Sequence, residues 1–172
     1  EQGLLAAKRD KIIVGLLVYQ GLSTTDLRHL RLEDVQINKG KLYVPRSKKY
    51  NSRTLELKPW QMMGLNEYIK EVHPQIQAYR SDMSEKLLIT TGESNDLRNV
   101  MNKIAKKLKL INRNFNNIAQ IRASVITLWL KQYSLRKTQI MAGHKFISST
   151  ENYQVSDLDD LHNMVDSFHP FR

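Results

Sequence analysis

Residues 35–57 are the only stretch of this chain patterned for β-strands, and helical spacing flanks it on both sides. Three short runs lie there, at 35–37, 41–44 and 53–57. Asn38-Lys39-Gly40 makes a tight connection between the first two. Pro45 closes the second run, and a polar tip over 46–52 leads into the third. The expected class is therefore mainly α with a small antiparallel sheet (α+β). At 172 residues the chain suits one domain with a sizeable core.

The helical segments have readable starts and stops. Leu5, Ile12, Ile13, Leu16 and Leu17 mark an amphipathic helix that Gly21 ends. Ser23 and Asp26 have capping-box spacing and open a short second helix through Leu27 and Leu30. After the strands, one helix is expected over 60–72, stopped near His73-Pro74 because the residue before proline avoids the α region. The apolar run at 86–90 has no evident type. Asp96 can cap a basic amphipathic helix that turns Leu97, Val100, Met101, Ile104 and Leu108 inward. Ile118, Ile121, Val125 and Leu128 mark a buried stripe on a helix reaching about Gln132. Ser134 can cap a shorter helix with Gly143 as its stop, and a Ser148/Glu151 capping box can start the helix carrying Tyr153. A final acidic segment places Leu158, Leu161 and Val165 at helical spacing.

Composition narrows function. The chain has no cysteine, which excludes disulfide scaffolds, thiolate nucleophiles and Cys-ligated metals. No apolar run approaches the roughly 18 residues of a membrane span, and the first residues lack a signal-peptide profile. A soluble cytoplasmic domain is expected. The formal charge is +10, concentrated in two blocks. Arg98, Lys103, Lys106, Lys107, Lys109 and Arg113 have no acid among them; Arg46, Lys48, Lys49, Arg53 and Lys58 have only Glu56. Such blocks suit a polyanion, most commonly nucleic acid, and equally suit a solvated helix face and hairpin tip.

Four features carry chemistry jointly: Lys48 in the hairpin tip, Arg122 within Ala119-Gln120-Ile121-Arg122, Gly143-His144 after a short helix, and Tyr153 nine residues beyond His144. Singly, each has an ordinary structural explanation. Together they resemble the catalytic domain of the tyrosine recombinases, or phage-type integrases, plausible company for a bacterial mobile element. Gly21-Leu22-Ser23 before Asp26-Leu27 looks like the family's first box. Residues 41–59 look like its β-hairpin, Ala119–Ser124 like its His-x-x-Arg box, and Ala142-Gly143-His144 like its Leu-Gly-His motif. Two positions depart from the pattern: Ser23 stands where the family has its first arginine, and Ala119 where it has a histidine.

The resemblance implies site-specific DNA cleavage and rejoining through a 3′-phosphotyrosine, with Tyr153 as nucleophile, Arg122 on the phosphate and Lys48 as proton donor to the leaving oxygen. His144 would accept the tyrosine proton or bond the phosphate; the sequence does not choose. Arg46, two residues before Lys48, shares its face if the hairpin stays extended, and could stand in for the missing arginine. Lys49, Arg53, Arg98, Lys103, Lys106 and Lys107 are expected to contact duplex DNA. No metal, cofactor or small-molecule substrate is implied. Residues 1–172 would form a single catalytic domain, without the family's other DNA-binding domain, working as a homo-tetramer on DNA or a monomer when isolated, and nucleoid-associated when bound. The alternative is a degenerate module of the same fold that binds DNA without cutting it.

Overall fold

The computed structural model describes residues 2–80, 83–92 and 96–154. The long α1 (Gln2–Gln20) and short α2 (Thr24–His29) lead into β1 (Val35–Gln36), β2 (Lys41–Val44) and β3 (Arg53–Glu56). Then come α3 (Pro59–Glu67), α4 (His73–Arg80), α5 (Leu97–Ile111), α6 (Ile118–Gln132) and α7 (Leu135–Ala142). A last helix, α8, begins at 148 and is described as far as 154. The expected α+β class holds. The acidic segment with Leu158, Leu161 and Val165 lies outside the described residues.

The sheet is antiparallel in the order β1-β2-β3, with Val35 opposite Leu42 and Val44 opposite Arg53. Strand period 2 sends Leu42, Val44 and Leu55 inward and Lys41, Tyr43, Thr54 and Glu56 outward. Arg53 falls on the inward face, so its guanidinium enters the core. There it meets Asp26: Nη2 donates to Oδ2 at 2.9 Å, and both side chains are fully buried. Asp26 is fixed in turn by the cap of α2, accepting from the Ser23 amide and hydroxyl at 2.8 Å each. The capping box read from the sequence thus also builds the counter-charge for the sheet.

α1 is the central pillar. Ile13, Leu16 and Leu17 pack with Leu22, Leu27, Leu30, Leu65, Tyr68 and Ile76 in the main core. At its end, the buried Gln20 and Gln61 exchange reciprocal amide hydrogen bonds of 2.9 and 2.8 Å, and Gln20 also donates to the Glu56 carbonyl. These bonds pin helix, strand and α3 together. A smaller cluster of Val125, Ile126, Trp129 and Ala142 lies between α6 and α7, with Tyr153 packed against it.

Three expectations need correction. Pro74 does not stop the helix: His73 keeps α geometry, and Tyr68–Val72 forms a π turn in which the His73 amide reaches the Tyr68 carbonyl. The widened turn supplies the room that a proline ring and its missing N–H demand. On α6, Leu128 faces solvent, and Trp129 continues the buried stripe after Val125 and Ile126. The last helix begins at 148, with the Ile147 carbonyl accepting from Thr150 and Glu151. Ser148 is therefore inside it, not its cap.

Asp26→Ala leaves the Arg53 charge buried and unpaired, and should cost about 3–5 kcal/mol in urea unfolding. Glu85→Ala, which removes an exposed partner of Arg31, should cost less than about 1 kcal/mol.

Candidate active site

The hairpin tip does not stay extended. After Val44 the chain leaves the strand and turns back on itself: the Ser47 amide donates to the Tyr50 carbonyl, and Ser47 Oγ accepts from the Tyr50 amide at 3.0 Å. The tip is then fastened to the loop between α7 and α8. Tyr50 pairs with His144 as a single antiparallel bridge, the Asn51 amide donates to the Gly143 carbonyl at 2.8 Å, and Lys145 Nζ donates to the Lys48 carbonyl. Gly143 makes this junction possible. It sits at φ 73°, and a Cβ there would lie 2.7 Å from Arg53 Nη1 and 3.0 Å from the Asn51 carbonyl.

Between tip and loop lies an open cleft of about 680 Å³ lined by Lys48, Lys49, Tyr50, His144, Phe146 and Tyr153, among others. Three of the expected residues, Lys48, His144 and Tyr153, therefore meet. Arg122 lies one layer beneath. Its Nη1 donates to the Gly21 carbonyl and its Nη2 to the Ala142 carbonyl, both at 2.6 Å, and the Tyr50 ring covers it, with Cζ 4.6 Å from the centroid. Two chain reversals, at Gly21 and Gly143, thus present carbonyls to one guanidinium. Burial and the nearby Arg53 lower the Arg122 pKa, while Tyr50, Asp26 and Tyr153 oppose that shift.

The His144 ring stacks on Tyr153, with centroids 5.9 Å apart and planes 9° apart, and its Nδ1 lies 2.8 Å from Thr150 Oγ1. Burial, then Arg122, then Arg53, push its pKa down to about 4. At neutral pH it is an uncharged imidazole inside a positive site.

Other expected residues fall elsewhere. Arg53, expected to contact DNA, is instead buried by the strand register against Asp26. Arg46 is exposed and does not line the cleft, because the turn at 47–50 breaks the i, i+2 relation with Lys48. Lys49 lines the cleft, and Arg98, Lys103, Lys106 and Lys107 are exposed on α5. Ser23 is the cap of α2, and Ala119 is an exposed methyl one turn before Arg122. Sequence reasoning missed Tyr50 and Thr150. Thr150 had a signal, three residues before Tyr153 on the same helical face; Tyr50, in an irregular tip, had none. Among the described residues, no His, Asp or Glu cluster could hold a metal ion, and no helix is long and apolar enough to cross a membrane.

The family model described as "Phage integrase family" matches residues 5–159. The chain belongs to the phage integrase family. Tyrosine recombinase XerC of Oceanobacillus iheyensis is 24% identical over 168 residues, covering 95% of this chain and 54% of that protein. A crystal structure of XerA recombinase superposes with a TM-score of 0.72 at 18% identity, over 96% of this chain and 58% of that one. XerH site-specific recombinase bound to a palindromic difH substrate, in a post-cleavage complex, gives 0.73 at 18% identity, over 96% and 47%. This integrase-family chain spans about half the length of such relatives, and the likeness extends to the tyrosine recombinase catalytic-domain fold.

The His144 shift has a sign that can be checked. An unfolded histidine titrates near 6.5, so as pH falls the unfolded chain takes up this proton first. Its contribution to stability is then full above about pH 6.5 and declines toward about pH 4. The urea midpoint should fall across that window, and less so in His144→Gln. An NMR titration midpoint for His144 above 6 would contradict the burial argument.

Proposed function

We propose that this cleft cuts and rejoins DNA strands, as part of a site-specific recombinase. The supporting observation is the meeting of Lys48, His144 and Tyr153 at one open cleft, with the Arg122 charge beneath it. Those side chains come from four separate stretches of chain. A metal-free phosphoryl transfer needs a nucleophile, a fixed positive charge and a proton donor, and each has an occupant here.

In this reading the Tyr153 hydroxyl oxygen attacks the scissile phosphorus. The bond from phosphorus to the 5′ oxygen breaks, giving a 3′-phosphotyrosine and a free 5′-hydroxyl. Lys48, an exposed ammonium on a flexible stem, gives its proton to the departing oxygen. The phenolic proton leaves to water through the open cleft, since Ala119 offers no imidazole. One phosphoester replaces another, so the bond energy is kept and the reverse attack rejoins the strand. Arg122 supplies preorganised positive charge: two of its five N–H groups are held by backbone carbonyls, so its position does not depend on bound DNA.

Binding itself rests on phosphate contacts. Lys49 at the cleft, Arg46 on the tip, and Arg98, Lys103, Lys106 and Lys107 on α5 present exposed positive charge. Exchange between two duplexes requires four strand cuts, one per tyrosine, so the reading carries four copies on DNA.

Tyr153→Phe should abolish a covalent adduct on a nicked suicide duplex while leaving duplex affinity nearly unchanged. Lys48→Met should slow cleavage on the order of 100-fold or more. A folded wild-type protein that binds the duplex without forming any adduct would favour the binding-only module instead. Charge reversal of Lys106 and Lys107 together should flatten the dependence of log affinity on log salt by about 2, the share of two phosphate contacts.

A further inference from the structure

The helix that carries Tyr153 holds a second polar side chain against the same imidazole. Thr150 is fully buried, and its hydroxyl lies 2.8 Å from His144 Nδ1. Tyr153 is three residues further on, so the two side chains share a helical face. The His144 ring touches both: hydrogen-bonded to Thr150 and stacked on Tyr153. A neutral imidazole carries one N–H and one lone pair, and the nitrogen that holds the proton decides what the ring can do with the other.

We propose that Thr150 is a positioning residue that donates its hydroxyl proton to His144 Nδ1, fixing the Nε2–H tautomer and making His144 a hydrogen-bond donor to phosphate rather than a base. Hydrogen-bond accounting supports this direction. Among the described residues the Thr150 hydroxyl has only the His144 bond. If Nδ1 carried the proton, the buried O–H would have no acceptor, at a cost of about 1–3 kcal/mol. The charges around the ring agree. Arg122 on α6 and Arg53 on β3 oppose a second proton, and His144 titrates near 4. Lys48, Lys49 and Lys145, which line the same cleft, add further positive charge; the phenols of Tyr50 and Tyr153 face the ring, and the Gln139 amide holds the His144 backbone. A group this reluctant to be protonated is a weak base at neutral pH, yet loses nothing as a donor.

The inference rests on the strand-cleaving reading for its consequence, but its geometry is tested without DNA. Ring ¹⁵N NMR of the whole chain, with His144→Gln for assignment, should show the proton on Nε2 in the wild type. It should stay there in Thr150→Ser and shift toward Nδ1 in Thr150→Val. On a suicide duplex, Thr150→Val should cleave at least about 10-fold more slowly at unchanged affinity, and Thr150→Ser should recover most of the rate. An Nδ1–H tautomer in the wild type would overturn the proposal whether or not the valine variant folds. So would wild-type cleavage by a folded Thr150→Val. A wild-type protein that forms no adduct but shows the Nε2–H tautomer would instead sink the cleavage reading and leave the Thr150 assignment standing.

Discussion

One buried ion pair sets the geometry of this molecule. Arg53 faces inward because the β2–β3 register allows nothing else, and a charge taken out of water demands a partner with good hydrogen-bond geometry. Asp26 meets that demand only because the Ser23 cap holds it at the start of α2. The pair therefore locks the sheet to the first helical turn after α1. Its guanidinium also lies against Gly143, the residue at which the chain turns toward His144. The sheet, the first box and the His144 loop share one electrostatic anchor.

The site is then assembled from backbone as much as from side chains. Arg122 is held by the carbonyls at Gly21 and Ala142, where two helices end. The hairpin tip is held by backbone bonds to Gly143 and His144. This explains why Ser23 and Ala119 leave the architecture intact. Neither side chain bonds Arg122, whose partners are the Gly21 and Ala142 carbonyls, so the arginine keeps its place with serine at 23 and alanine at 119. Among the described residues, the same arrangement leaves Arg53 and Arg122 with Asp26 as their counter-charge. Burial first, and then that positive field, keep His144 neutral.

Much of this was legible before any coordinates. Apolar spacing and caps at Ser23, Asp96, Ser134 and Gly143 gave α2, α5 and α7 their limits, because caps satisfy local backbone groups and depend little on the rest of the fold. The nine-residue step from His144 to Tyr153, read through the family resemblance, placed both at one site, and the two rings stack there. What failed was tertiary. Arg53 read as surface charge, although the period-2 pattern with Leu55 already placed it inside. Pro74 read as a stop, since nothing local announces a π turn. The tip over 46–52 read as a polar link, on which Arg46 and Lys48 share a face if it stays extended, and only its backbone bonds to Gly143 and His144 show why it folds back, bringing Tyr50 over Arg122 and leaving Arg46 outside the cleft.

Two phenols, Tyr50 and Tyr153, line the same cleft, and only Tyr153 is proposed to take the covalent step. Peptide mapping by mass spectrometry of the wild-type protein, trapped on a nicked suicide duplex, separates them directly. The 3′-phosphonucleotide is expected on the peptide containing Tyr153, with the peptide containing Tyr50 unmodified. An adduct on Tyr50, or on any residue other than Tyr153, would contradict that assignment.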